Sequence, residues 1–513
     1  MKTTLSIILA SILCLLVVSS AQAAVLRVTI DYLTIQGAIN AATPGDTVLI
    51  PAGVFNESLT INGKASIIIR GAGPGKTIID DSATTNQNVI NIVNASQIVI
   101  TGLTIRNANN ASNVFVENSS YITIIKNHIH GAFLDGIELK SASYIAIQYN
   151  VIAENGDTEG HGINQYGLSF ANLFDNNDIS SNAEDGIHHE TGDYDVIRYN
   201  HISENSSHGV HNVGGRFITV HNNLIDNNGA DGIFDEASHD LLSYIYYNVI
   251  LNNFNSGIQV NSGMRIVQNY VALNDVGIET GNMNLIQQNI VNYNIFCGII
   301  NAGDIGWIYS NDVYFNIWSG IIHEGNANDA TAIYYNISRH NAGNGLEATN
   351  GILYGNYSSF NTFGFSLFDN AKAYYNTAVN NYGDGFSYEN QANTMTWLLY
   401  NLSYHNGGSG IYTTAGFSAV IYYNYSLYNW MNGIKVGDTC SVVGNYVADN
   451  TENGIDSVGT NGSAIAYNLI FNNGDLDNAG VAQNFGDKCD DVPEDDTWIA
   501  NYFLTTCPAP PLP

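Results

Sequence analysis

Between Asn127 and Asn468 the chain repeats one short pattern: an apolar residue, two variable residues, Asn, one variable residue and another apolar residue. Ile147-Gln148-Tyr149-Asn150-Val151-Ile152 and Ile197-Arg198-Tyr199-Asn200-His201-Ile202 are two copies. The alternation lasts only about two to five residues before turn formers interrupt it, which predicts very short strands. The Asn column runs through Asn127, Asn150, Asn177, Asn200 and Asn223 with a period of about 23 residues, and a column of Gly followed by an apolar residue runs from Gly136, Gly162 and Gly186 to Gly454 with the same period. Equal increments of chain wind into superposed coils about 4.8 Å apart, so each strand extends a parallel sheet and each buried Ile or Val rests on its counterpart one coil on. Asn is expected in a left-handed turn position with its amide stacked on the next, and Gly where a turn needs positive φ or close approach. Helical solenoids repeat at roughly 33–47 residues and favour Ala, Leu, Glu and Lys, while leucine-rich repeats need a Leu scaffold. This chain offers Asn, Gly, Ile, Val and Tyr instead. The prediction is an all-β chain forming a single right-handed parallel β-helix of about 20 coils, roughly 95 Å long.

The stretch from Leu33 to Phe55, which contains Ile35-Gln36-Gly37-Ala38-Ile39 and Thr43-Pro44-Gly45-Asp46, precedes these repeats. With the repeats it resembles the right-handed β-helix proteins of the pectate-lyase-like superfamily, in which a short amphipathic helix covers the first coil. The resemblance implies that Ile35, Ala38 and Ile39 form that helix's buried face. The superfamily carries lyases, hydrolases, epimerases, adhesins and periplasmic accessory proteins, so the resemblance bears on fold more than on activity. The expected organisation is a signal peptide over residues 1–23, the β-helix over 24–480 and a C-terminal cap or tail over 481–513.

Composition narrows the function. Charged residues make up only 12% of the 513, and 15 Lys and Arg against 46 Asp and Glu give a formal net charge of -31. Such a field excludes nucleic acid and anionic membrane as partners. Lys2, the apolar run Leu5 to Val18 and Ala21-Gln22-Ala23 have the three regions of a secretory signal, which predicts cleavage near Ala23 and a secreted, periplasmic or cell-surface protein. No later apolar run approaches the roughly 20 residues of a membrane span. In an exported chain Cys489 and Cys507 are expected to form a disulfide that closes the frayed C-terminal end, while Cys297 and Cys440 sit in apolar repeat positions as small core residues.

Ten of the 13 histidines fall between His128 and His239. Aligned on the Gly column, the preceding residue reads Asp135, His161, Asp185, His208, Asp231, and the residue two after the Gly reads Glu138, Asn164, His188, His211, Phe234, Gln259. These are expected to make one polar flank, with imidazoles lying between carboxylates. Carboxylates two coils apart stand about 9.6 Å apart at the backbone, near the roughly 6.5–9.5 Å that separate acid and base in an inverting glycosidase. Asp135 with Asp185, or Asp185 with Asp231, meets that condition. Asp135-Gly136-Ile137 and Gly160-His161-Gly162-Ile163 are similar to two polygalacturonase motifs, although that family's Asp-Asp pair and Arg-Ile-Lys motif are absent. A uronate lyase or C5-epimerase would use His188, His211 or a nearby Tyr for proton transfer, with Arg198 or Arg216, or calcium held by Asp and Glu, to neutralise the sugar carboxylate.

The expected partner is therefore polysaccharide, engaged by Asp135, His161, Asp185, His188, His208, His211 and Asp231 as reacting groups and by Glu138, Asn164, Arg198, Arg216 and Gln259 as binding groups. No cofactor is required, and calcium is a candidate ion. The rival is a non-catalytic cell-surface or periplasmic rod in which the Asp column serves as ordinary turn caps. Metal binding by His188, His189 and Glu190 is the less favoured reading, because adjacent His on a strand point to opposite faces and seldom ligate one ion. A Tyr column that includes Tyr149, Tyr199, Tyr247, Tyr335 and Tyr375 is read as mutual stacking along the rod.

Overall fold

The computed structural model describes residues 23–83, 86–326, 329–389, 394–414, 418–458, 462–474, 488–490 and 497–503. The expected signal segment and the Cys489 to Cys507 pairing lie outside what these residues describe. The chain winds into a parallel β-solenoid of about 19 turns, with three strand-bearing faces and one short helix. In the best-populated part the first face carries Ile137–Lys140, Ile163–Tyr166, Ile187–His189 and Val210–Asn212. The second carries Ala146–Gln148, Leu173–Asp175, Val196–Arg198 and Thr219–His221. The third carries His128–His130, Val151–Ala153, Asp178–Ser180 and His201–Ser203. Each strand pairs in parallel with its counterparts one coil before and one coil after, as Ile137↔Ile163↔Ile187↔Val210 on the first face. No helix among the described residues is long and apolar enough to cross a membrane.

The helix, α1 (Ile35–Ala41), covers the first coil as the resemblance implied. Thr34 caps it by accepting the Gly37 N–H at 3.0 Å, and Ile35, Ala38 and Ile39 are its buried residues. Beneath it the core is a set of aliphatic columns: Ile129, Ile152, Ile179, Ile202, Ile225 and Ile250 are all inaccessible to solvent. Burying each such side chain contributes on the order of 1.5–3 kcal/mol, and the one-dimensional stacking shares that gain between neighbouring coils.

The columns of Asn and Gly do only part of the work expected of them. Asn is not the left-handed residue. That conformation falls on the residue before it, at Tyr149, Tyr199, Tyr247, Tyr335, Tyr375 and Tyr400, where φ lies between 54° and 58°. The turn swings Tyr outward and drives the Asn amide inward. Asn200 is typical: its Nδ2 donates to Phe174 O (2.9 Å) and Asn223 Oδ1 (3.0 Å), and its Oδ1 accepts the backbone and side-chain N–H groups of Asn177 (2.9 and 3.0 Å). A second buried ladder, Asn155, Asn182, Asn205, Asn228 and Asn253, follows five residues later with the same bonding and flanks the third face on its other side. The Gly column answers to close approach alone. A Cβ on Gly186 would stand 2.5 Å from Ile202 Cγ2 and 2.7 Å from Gly209 O.

Two further features set up the functional surfaces. Strand Ile258–Val267 runs without a break from the first face to the second, joining Gln259 and Arg265 in one segment that bends at Gly263. Outside the core, exposed aromatic residues stack from coil to coil, as Tyr121 on Tyr144 (4.8 Å) and Tyr375 on Tyr400 (5.0 Å). In the column before Asn, Tyr375, Tyr400 and Tyr423 stack in this way. Cys297 and Cys440 are buried.

Candidate acid-base flank

The columns aligned on Gly fall into register on the first face. Glu138, Asn164, His188, His211, Phe234 and Gln259 are Cα partners in sequence, and all point outward, half-buried. The residues just before the Gly lie deeper, and each lends an acceptor to the backbone N–H of its counterpart one coil on. Asp135 Oδ1 accepts His161 N–H (2.8 Å), His161 Nδ1 accepts Asp185 N–H (3.2 Å), and Asp185 Oδ1 accepts His208 N–H (2.9 Å). His208 Nδ1 then accepts Asp231 N–H (3.2 Å), and Asp231 Oδ1 accepts Ser256 N–H (2.8 Å). The alternation of Asp and His therefore has a structural basis, since a carboxylate oxygen and an unprotonated ring nitrogen both accept. An Nδ1 used in this way cannot carry a proton, so His161 and His208 do not pair as cations with the Asp beside them.

The second oxygen of Asp185 gathers the flank. Its Oδ2 receives His188 Nδ1 at 2.9 Å and His211 Nδ1 at 3.2 Å, and because a carboxylate only accepts, both rings donate there. His211 also reaches Glu236 Oε1 through Nε2 at 3.0 Å. His188 Nε2 has no protein partner among the described residues. The rings form one cluster, with His161 stacked on His188 (4.4 Å) and His188 edge-on to His211 (4.9 Å), while His208 and His211 both contact Phe234.

Burial pushes the Asp135 carboxyl up to about 6, despite the N–H groups of His161 and Asn164 that it accepts. Burial alone would raise Asp185 too, but the hydrogen bonds from His188 and His211 hold it well below the usual carboxylate range. Burial takes His161 down to about 4, whereas for His211 the Asp185 and Glu236 carboxylates outweigh burial and raise it. Two carboxyls on one flank are thus driven in opposite directions. Asp135 borders a cleft of about 400 Å³ that Glu138, Glu159, His161, Asn164, Tyr166 and Glu190 complete. Tyr166 donates its hydroxyl to Glu138 Oε1 at 2.5 Å, and Ser112 donates to Oε2 at 2.7 Å.

These shifts make a pH prediction. A carboxyl raised from 3.8 to about 6 stabilises the fold most below 3.8 and loses that contribution as pH rises to 6; a His lowered from 6.5 to about 4 gains stability across nearly the same window. In the native protein the two slopes oppose each other between pH 4 and 6. Asp135→Asn removes the falling one, so the variant's denaturation midpoint should climb relative to wild type from pH 4 to 6. Parallel profiles for the two proteins would contradict the assignment.

The arginines do not join this flank. Arg198 lies on the second face, where Asp175 stands in register beside it and binds it at 2.9 Å, and Arg216 lies in the following turn, paired with Asp193 at 2.8 Å. Each is held by a carboxylate one coil earlier, so neither supplies a free cation to the cleft. Asp231 continues the capping column, and Gln259 continues the outward one.

A buried polar group escaped the sequence reading. His189, next to His188 but turned inward, places Nε2 2.6 Å from Asp195 Oδ2, where Gln165 Nε2 also donates at 2.5 Å; Asp195 Oδ1 accepts Asn172 N–H at 2.6 Å. Gln165, His189, Asn212 and Asp235 form an interior column three residues after each Gly. The sign in the sequence was polar residues at a position where Leu139 and Val260 mark other coils as apolar.

Comparison with known proteins agrees on the architecture. The family model described as periplasmic copper-binding protein (NosD) matches residues 39–217, and one described as right-handed beta-helix region matches residues 169–313. No curated protein matches. Similar solved structures include an alginate lyase from Paenibacillus sp. str. FPU-7, at 15% identity over 55% of this chain and 95% of that one, with a TM-score of 0.33. A pectate lyase is 14% identical over 56% and 78%, with a TM-score of 0.34. The catalytic unit of an α-1,3-glucanase from Streptomyces thermodiastaticus strain HF3-3 is 13% identical over 73% and 64%, with a TM-score of 0.30.

Proposed function

We propose that the protein is exported, acts in the periplasm or at the cell surface, and binds and hydrolyses a neutral polysaccharide along its first face. The observation that carries this reading is the opposite displacement of Asp135 and Asp185, two coils apart on one flank. Asp135, holding its proton up to about pH 6 beside the cleft, gives that proton to the leaving glycosidic oxygen. His188 Nε2 takes a proton from the attacking water, and Asp185, bonded to Nδ1, orients the ring and stabilises the imidazolium that forms. Water adds across the bond and one proton passes through each group, so the ledger of atoms closes. A neutral sugar fits because Glu138, Glu159 and Glu190 line the cleft and no Lys or Arg does. The same charge argues against uronate lyase or epimerase chemistry here.

A second reading rests on donor geometry. His161, Asp185 and His188, and likewise Asp185, His208 and His211, offer ligand atoms all within 4.8 Å of one another, in the stretch matched by the copper-binding family model. Imidazole and carboxylate suit copper(II). His188 fits best, since its free Nε2 is backed by Nδ1–H on a carboxylate. His161 and His208 would have to give up backbone N–H groups. Bound there, the ion would supply positive charge to an acidic flank.

The test is a screen of the mature protein against neutral and uronic glycans, reading reducing ends, with and without added copper(II). Hydrolysis of a neutral glycan that falls about 100-fold in His188→Gln supports the acid-base reading. Release of reducing ends unaffected by His188→Gln and Asp135→Asn would remove it, and copper binding lost in His188→Gln without any hydrolysis would move the assignment to the metal.

A further inference from the structure

The second face carries a groove that the flank does not use. It has a volume of about 500 Å³ and is bordered by Tyr244, Tyr246, Tyr247, Arg265, Gln268 and Gln287. Arg265 stands in register between Tyr244 and Leu285, and its guanidinium lies 5.2 Å from the Tyr244 ring centroid. Arg106, Arg198, Arg216 and Arg339 are each bound to an Asp within 2.9 Å. Arg265, like Arg27 and Arg70, has no such partner among the described residues, but its Nε is in addition buried with no hydrogen bond. In a chain of net charge -31, a guanidinium that borders an open groove and pairs with no carboxylate among the described residues can take an anion from outside.

The walls say which anion. Three Tyr rings offer flat apolar faces with hydroxyl edges, and two Gln amides on neighbouring coils each offer a donor and an acceptor. Sugars present apolar ring faces and rows of hydroxyls, and a guanidinium fork matches a carboxylate. We infer that this groove binds a carboxylated sugar unit of an acidic glycan, with Arg265 holding the carboxylate. Gln259 on the first face is six residues from Arg265 in the same strand, so the groove lies at most about 20 Å along the chain from the flank. The inference stands whether or not the flank hydrolyses anything.

Calorimetric titration of the full mature chain with a hexauronate, its neutral counterpart and hexaglutamate tests it. Hexauronate should bind, weaken with salt, and bind roughly ten- to hundred-fold more weakly to Arg265→Gln. Arg265→Lys should lose less, because it keeps the charge without the fork, and Tyr244→Leu should weaken binding several-fold. The neutral hexasaccharide should not compete. Equal hexauronate affinity in wild type and Arg265→Gln, or no hexauronate binding, overturns the proposal, and hexaglutamate binding as tightly would reassign the groove to acidic peptides. His188→Gln should keep hexauronate binding while losing hydrolysis, which separates the groove from the flank.

Discussion

Asn200→Asp is expected to open the solenoid at its middle, with a loss of about 4 kcal/mol of local stability near pH 7. The native amide donates to Phe174 O and Asn223 Oδ1 and accepts twice from Asn177, all out of contact with water. An ionised carboxylate keeps the two acceptor roles but turns an oxygen toward two other oxygens. The substituted Asp will resist ionisation, so its pKa in the folded state should rise. Its penalty is then complete above that raised pKa and shrinks as pH falls through it, and the variant should recover part of its stability in mild acid. Amide exchange over residues 174–226 is the right readout, since coils in a repeat array open in groups rather than all at once. Exchange rates there matching wild type at pH 7 would show that the ladder contributes little.

Asp195→Ala should cost a similar amount, roughly 3–5 kcal/mol, for a different reason. Three donors converge on this carboxylate, from His189, Gln165 and Asn172, and neither His189 nor Asp195 is exposed. Ala leaves all three without an acceptor and opens a void. Asp193, two residues away, holds an exposed Arg216 through a bond of 2.8 Å, yet Asp193→Ala should leave the melting temperature essentially unchanged because water replaces what is lost. The pair compares short carboxylate bonds in two environments. Similar melting shifts for both variants would refute the importance assigned to burial.

How far the sequence could be read follows from where each residue's neighbours lie. Gly186 and Asn200 announced themselves because each occupies one position per coil and recurs every 20 to 27 residues in the same local pattern. Aligning the coils on that pattern therefore assigns each of them its neighbours one coil away. The set His188, His211 and Asp185 was legible for the same reason. The second Asn ladder was not, because Asn155 and Asn182 stand among Gly, Asp and Ser that look like surface loop. Asp195 was hidden by a different effect: its partner His189 is one residue past an outward His, and only the path of the intervening turn brings a carboxylate six residues later back into the core. Arg265 escaped because what sets it apart, a buried Nε with no hydrogen bond beside three Tyr, becomes visible only when the coils on either side are in place.

The two Asn ladders have a consequence for how such a chain can change. Because Asn200 meets Asn177 and Asn223 through identical bonds, duplicating or excising one complete turn rejoins both amide ladders and the aliphatic columns without altering any contact type. Reach is therefore adjustable in steps of one turn, by tandem duplication, while a gain or loss of one or two residues within a strand throws every column out of phase. Natural length variants should differ by whole multiples of the repeat, with the molecule's span as a heritable quantity separate from its chemistry.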